Sequence, residues 1–204
     1  MRATQPRRSI GDIRMGRHYG AVEYDRIYRR RKPRYAAEAL ETSQRYLFQL
    51  TLDTLPAVGR IVEIGCGTGQ FTQLLESRGF RDYVGYDFSA EAVRQARERT
   101  SLSVQVRDIE KEPLALQAGD TVVALEVFEH LEDDLALISE WPRGVLCLFS
   151  VPVFDAPNHL RWFLNEADVR SRYETCLALS TVLRVDSYRR PGTAPWFFAA
   201  GRML

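Results

Sequence analysis

Apolar positions recur along the chain with two periods. Residues 60–64 (Arg60-Ile61-Val62-Glu63-Ile64) form a short apolar run, and Phe71, Leu74 and Leu75 then recur at three- and four-residue spacing until Gly79. The first pattern predicts a buried strand and the second an amphipathic helix over 69–78. The alternation continues with a strand at 82–86, a helix at 89–99 and strands at 103–107 and 121–125. A helix carrying Leu135 and Ile138 follows Asp133 and stops at Pro142; a strand at 144–151 and a helix at 166–173, capped by Asn165 and Asp168, come next. Ser89 is placed to cap the 89–99 helix, and Glu91 complements its positive end. Upstream, Pro33 suits a first helical turn, and Ala36, Leu40, Leu47 and Leu50 share one face of a helix from Tyr35 to Leu52. Strands alternating with helices predict parallel pairing through right-handed crossovers. The last two strands, 178–188 and 196–202, are joined through Arg190-Pro191-Gly192-Thr193 as a hairpin, which adds an antiparallel strand.

With 204 residues, 45% of them hydrophobic, the chain can bury one sizeable core, so one domain is expected. No apolar run reaches the ~20 residues that span a bilayer, and the basic residues 1–9 lack a following apolar segment. A cytoplasmic protein without a membrane partner is the expectation. Cys66, Cys147 and Cys176 have no C-x-x-C spacing and read as reduced, packed thiols. Charge divides the chain: residues 1–34 hold eleven Arg and Lys against three acids, a net of +8 that leaves −7 for residues 35–204. A phosphate-binding arm is one interpretation, and a solvated tail over an acidic body is the other. Residues 1–13 are polar, Arg-rich and aperiodic, which predicts disorder.

Candidate chemistry begins in the turn Gly65-Cys66-Gly67-Thr68-Gly69 between the strand at 60–64 and its helix. Glycines there let backbone approach a ligand, and the helix N-terminus favours an anion; a plain strand-to-helix turn is the bland alternative. Asp87 ends the next apolar run, twenty-two positions after Gly65, where an acid can accept both hydroxyls of a ribose. Dinucleotide and S-adenosylmethionine (SAM) sites share this spacing. The pattern here is G-x-G-x-G with Glu63 two residues ahead.

These segments resemble the class I SAM-dependent methyltransferases. Glu63 to Gly69 is similar to their first motif, Tyr86-Asp87-Phe88-Ser89 to the second and Arg107-Asp108-Ile109 to the third. Ala124-Leu125-Glu126-Val127-Phe128-Glu129-His130 is similar to the fourth motif in the branch that methylates small metabolites, and the resemblance spans about residues 35–204. It implies an α/β fold, a Rossmann-like seven-stranded mostly parallel sheet with helices on both faces and an antiparallel C-terminal hairpin strand. It further implies a SAM cofactor contacted by Glu63, Gly65, Cys66, Gly67, Gly69, Asp87, Phe88, Asp108, Ile109, Glu126 and Val127. Tyr19, Tyr24 and Arg34 become lid candidates in a segment preceding the domain, although Tyr24, Ile27 and Tyr28 also have the spacing of a simple helix anchor. The stretch 151–163, with His159-Leu160-Arg161-Trp162-Phe163, resembles the family's substrate loop.

The expected function is methyl transfer to an O or N atom of a small-molecule acceptor. A hydroxyl or protonated amine needs a base, and His130 and His159 are the histidines near the expected site. An alternative treats Glu126, Glu129, His130 and His159 as a divalent-metal site, resembling that of RNA 3′-terminal 2′-O-methyltransferases acting on a vicinal diol. The Phe-x-Pro-Pro feature of that group is missing, and no nucleic-acid partner is expected. A non-enzymatic SAM- or nucleotide-binding module is the third reading. Phe154, Trp162 and Phe163 suit a flat or apolar acceptor, or a roof over the cofactor.

Overall fold

A computed structural model describes residues 16–30, 37–193 and 195–204. The expectations that fall on residues 1–13, Pro33, Arg34, Tyr35 and Ala36 lie outside the described residues. The strands are β1 (Ile61–Ile64), β2 (Tyr83–Asp87), β3 (Ser103–Val106), β4 (Thr121–Leu125), β5 (Leu146–Pro152), β6 (Leu177–Val185) and β7 (Trp196–Met203). The helices are α1 (Ala21–Arg30), α2 (Arg45–Thr54), α3 (Gln70–Ser77), α4 (Ala90–Arg97), α5 (Asp134–Ser139) and α6 (Glu166–Tyr173).

One seven-stranded sheet runs in the order β3-β2-β1-β4-β5-β7-β6. The first five strands in that order pair in parallel, while β7 is antiparallel to both β5 and β6. Successive side chains in the central strands point to opposite faces. Val122 and Ala124 of β4 join one buried cluster with Ile138 of α5 and Val169 and Tyr173 of α6. Val123 joins the other, with Leu47 of α2, Phe71 and Leu75 of α3 and Val93 of α4. Helices therefore cover both faces, which accounts for the near-continuous apolar strands of the sequence.

The expected helix from Tyr35 to Leu52 is interrupted. A 3-10 turn, Ala39–Glu41, precedes α2. Thr42 breaks the run: its hydroxyl donates to the Ala39 carbonyl at 2.8 Å and accepts from the Gln44 N–H at 3.2 Å, while its own backbone is extended. Such local side-chain bonds compete with the helix ladder. The penultimate strand also ends sooner than expected, at Val185, because Ser187 N–H bonds to the Thr193 carbonyl and closes a wider turn. The Ser89, Asp133 and Asn165 side chains cap α4, α5 and α6, accepting from Ala92, Ala136 and Asp168 N–H groups. Among the described residues no helix is long and apolar enough to cross a membrane.

Candidate functional site

The chain leaves β1 toward β2 on one side, and β4 lies on the other, so the strand order switches direction between them. Ligands bind beyond the carboxyl ends of strands at such a point. The loops after β1, β2, β3 and β4 meet there around a cavity of about 420 Å³. Such a volume is within the usual range for a cofactor or small ligand.

Gly65, Gly67 and Gly69 all have left-handed backbones, with φ of 70, 54 and 77°. At Gly69 a Cβ would lie 3.0 Å from the Ala96 Cβ, so glycine also permits α3 to approach α4. Gly67 N–H donates to Asp87 Oδ2 at 2.9 Å, and Ser89 N–H donates to Oδ1 at 2.9 Å. These two bonds only partly offset burial, which pushes the Asp87 carboxyl up to about 6. Each Asp87 oxygen retains acceptor capacity. Glu63 is more fully engaged: Tyr83 and Thr72 hydroxyls reach its Oε2 at 2.6 and 3.1 Å, and burial pushes it up to about 7. Cys66 is buried beside them, its thiol held well above the ordinary range by burial. Asp108 receives Lys111 Nζ at 2.6 Å and Glu110 N–H at 3.2 Å.

His18, Tyr19, Tyr24, Ile27 and Tyr28, from residues 16–30, also line the cavity. None of the α1 residues is buried, and polar clasps hold the helix in place. Asp25 Oδ1 accepts from Ser89 Oγ at 2.6 Å and from Glu91 N–H at 3.1 Å, placing an anion at the α4 N-terminus. Asn158 Nδ2 donates to the Tyr24 hydroxyl at 3.0 Å. The Tyr24 ring lies 5.0 Å from Phe88 and 5.9 Å from His130, centroid to centroid.

Beyond β4, Glu126 adopts φ 59°, alone in positive φ among the described non-glycine residues. Its Oε1 accepts from Ser150 Oγ at 2.8 Å and its Oε2 from Trp196 Nε1 at 2.6 Å. Burial pushes this carboxyl up to about 7. Glu129 is fully buried, and neither carboxylate oxygen has a hydrogen-bond partner among the described residues. His130 Nδ1 faces the Asn158 carbonyl at 2.8 Å and its Nε2 lies 3.7 Å from Glu129 Oε1. His159 Nδ1 faces the Phe154 carbonyl at 3.1 Å.

Residues 62–146 match the family model described as a methyltransferase domain. The fold is that of the SAM-dependent methyltransferases. Over 116 residues the chain is 34% identical to the biotin biosynthesis bifunctional protein BioCD of Bordetella avium (strain 197N), a match covering 54% of this chain and 24% of that protein. Over 139 residues it is 32% identical to trans-aconitate 2-methyltransferase of Rhodopseudomonas palustris (strain BisB18), covering 65% of this chain and 53% of the relative. The chain thus spans only a quarter to a half of the length of these curated relatives. The solved N-methyltransferase NodS of Bradyrhizobium japonicum WM9, in complex with S-adenosyl-L-homocysteine, superposes with a TM-score of 0.65 at 20% identity over 86% of this chain and 97% of that one.

The ligand of NodS, S-adenosyl-L-homocysteine, is the demethylated form of SAM. The residues present fit it: a left-handed glycine loop free of side chains faces Asp87, and the Thr68 hydroxyl beside them is buried without a partner among the described residues. Of the positions singled out in the sequence, Tyr19, Glu63, Gly65, Cys66, Gly67, Asp87, Phe88, Asp108, Ile109, Glu126, Val127 and His130 line the cavity. Gly69, Glu129 and His159 do not, since Gly69 packs on α4 and His159 is buried behind the wall. The four residues of the metal alternative do not all come together. One donor atom each from Glu129, His130 and His159 lie within 4.8 Å of one another, but Glu126 stands outside the group with its oxygens bonded to Ser150 and Trp196. Ser150, Trp196, Gln44 and Asn158 went unmarked in the sequence. The proximity of Asn158 to His159 in the 151–163 stretch was the one available signal.

Proposed function

We propose that this chain transfers the methyl group of SAM to an O or N atom of a small-molecule acceptor, residues 35–204 forming the catalytic domain and residues 16–30 its lid. The observation that carries this reading is one continuous cavity with two kinds of lining. The glycine loop, Asp87 and Asp108 contribute to it together with Tyr19, Tyr24, His130 and Asn158. A methyl donor and its acceptor need such continuity, because the nucleophile must stand in line with the methyl carbon at ~3 to 3.5 Å.

When bound, the cofactor supplies a methyl group already activated by the sulfonium charge. Asp87 accepts the ribose hydroxyls with the lone pairs not used by Gly67 and Ser89, and Asp108 accepts from the adenine amino group. Tyr24 and Phe88 close over the site and exclude water. His130 Nδ1 is engaged by the Asn158 carbonyl while its Nε2 stands 3.7 Å from Glu129 Oε1, and His130 positions the acceptor through its ring. His159 sits behind it and acts on the loop. An acceptor that arrives already nucleophilic, such as a carboxylate, an amine or a phenolate, needs no further base. The relatives named for trans-aconitate and for N-methylation fit small acceptors of this kind. Three free, buried cysteines suit the reducing cytoplasm.

Release of S-adenosylhomocysteine, followed with panels of carboxylates, amines and phenols, tests the reading. Acceptor-dependent release that is lost in Asp87→Ala is expected. Tight SAM binding with no turnover on any panel would favour a non-enzymatic binding module instead.

A further inference from the structure

The cavity has a predominant sign of charge. Among the described residues five carboxyl groups line it, those of Glu63, Asp87, Asp108, Glu110 and Glu126, against the single guanidinium of Arg107. Arg107 is committed beside β2 and β3: its Nη1 donates to the Pro113 carbonyl at 3.1 Å, and its Cζ lies 5.1 Å from the centroid of the Tyr86 ring. His130 adds no cation, because burial pushes its imidazole down to about 4. Burial also raises Glu63 and Glu126 to about 7, and a neutral carboxyl still offers an anionic acceptor no counter-charge. Desolvating a carboxylate there would be costly without a paired cation.

Aromatic rings supply a complementary wall. The Tyr19 and His130 rings stand at 72° and 76° to that of Tyr24, their centroids 6.4 and 5.9 Å from it, and all three residues line the cavity. Three rings therefore meet as the sides of a corner, with Phe88 5.0 Å from Tyr24. The face of an aromatic ring attracts a cation through its quadrupole. Tyr19 already receives one, since the Cζ of Arg17, which is not part of the lining, lies 5.0 Å from its centroid. A carboxylate borders the same rings: Glu110 Oε2 stands 4.0 Å from Nδ1 of His18, the residue before Tyr19, and any charge that His18 takes up is met by Glu110. The Glu132 N–H holds this side chain in place by donating to its Oε1 at 2.6 Å.

We propose that the methyl acceptor is a small primary or secondary amine that enters as its ammonium ion, taken up by the Tyr19, Tyr24 and His130 rings and the Glu110 carboxylate. The proposal rests on the methyl-transfer reading and selects one class from its acceptors. The ammonium ion releases a proton to solvent water, and its nitrogen lone pair forms the new bond to the methyl carbon. The carbon–sulfur bond breaks with its electron pair kept by sulfur. An N-methylammonium ion, the neutral thioether of S-adenosylhomocysteine and one solvated proton result.

Calorimetry of matched ligands on the full chain loaded with S-adenosylhomocysteine tests the proposal. One series is phenethylamine, phenethyl alcohol and hydrocinnamate; the other is isoamylamine, isoamyl alcohol and isocaproate. Each amine should bind about tenfold or more tightly than its alcohol, with the carboxylate weakest. Glu110→Gln keeps an acceptor for the Glu132 N–H, and should weaken amine binding about fivefold while leaving the alcohol unchanged. Equal affinity for the three head groups, tighter binding of the carboxylate, or no amine binding in either series overturns the proposal, and this wild-type comparison stands even if the variant does not fold. Release of S-adenosylhomocysteine from SAM, followed with the same ligands, separates the two readings. Amine-selective binding without release refutes methyl transfer and with it the acceptor role, whereas release that favours the carboxylates or alcohols refutes the amine proposal alone.

Discussion

Asp87 and Gly67 are joined by a 2.9 Å hydrogen bond across the ends of β2 and β1, so the acid expected to hold the cofactor ribose also braces the glycine loop beneath it. Holding the two ribose hydroxyls calls on the ionised carboxylate, whereas the bonds from Gly67 and Ser89 can be accepted in either state. The folded value of Asp87, raised to about 6 by burial, makes the first of these sensitive to pH. In the free protein the raised value means that the stability contributed by this group is fully present below the ordinary carboxylate pKa and is lost as pH rises through about 6. Cofactor affinity runs the other way: protonation removes an acceptor, so binding weakens as pH falls through about 6, by up to ~tenfold per unit. Titrations of SAM between about pH 5 and 8 should show this slope in wild type, and Asp87→Asn should flatten it.

Glu126 holds a left-handed backbone through two side-chain donors, Ser150 and Trp196. Trp196→Phe keeps the ring volume but removes one donor from a buried carboxylate, with an expected loss of about 1 to 3 kcal/mol in urea unfolding. Glu126→Ala loses both contacts while retaining a non-glycine residue at positive φ, and should cost more than Trp196→Phe. Equal destabilisation by the two variants would mean that the Ser150 bond contributes nothing.

The proposed lid is held by Asp25. Asp25→Ala removes the bonds to Ser89 Oγ and Glu91 N–H, leaving α1 to the ring contacts of Tyr24 with Phe88 and His130 and the Asn158 bond. Limited proteolysis within 16–30 should accelerate several-fold, and SAM should dissociate faster. Arg29→Ala is the contrasting case. Its contacts with Asp25 and Glu91 are 3.5 and 3.8 Å long on a side chain that is 65% exposed, so it should change either rate little.

Arg161 ties the substrate loop to the segment after β4 through three backbone carbonyls and its pair with buried Asp134. Arg161→Ala should cost about 3 kcal/mol or more in chemical denaturation, because three carbonyls and part of a buried charge lose their donor. Lysine cannot reproduce the planar fork, so Arg161→Lys should recover only part of that loss.

The contrast between Asp87 and Glu126 shows what the sequence can disclose. Asp87 was legible because strand period, glycine spacing and strand-end position are all local, and together they fix where the side chain emerges. Glu126 was recognisable as an acid ending β4, but its partners Ser150 and Trp196 lie 24 and 70 residues away and meet it only through the β4-β5-β7 pairing. His159 illustrates the same limit: its loop was identifiable by composition, but its burial behind His130 is set by packing against the N-terminal segment, where Arg17 N–H bonds to the Pro157 carbonyl. The sheet was easier to anticipate because alternating apolar strands have few competing arrangements. The helix expected through residue 42 failed because a single threonine hydroxyl redirected two local bonds.

The central claim is that the cavity bounded by Gly65, Gly67 and Asp87 binds SAM. Isothermal titration of SAM and its demethylated product into wild type and Asp87→Ala tests it most directly. Saturable binding of one cofactor per chain, lost or weakened about 100-fold in Asp87→Ala, is the expected result. Absence of binding in a folded wild-type protein, or equal affinity in the folded variant, would contradict the account.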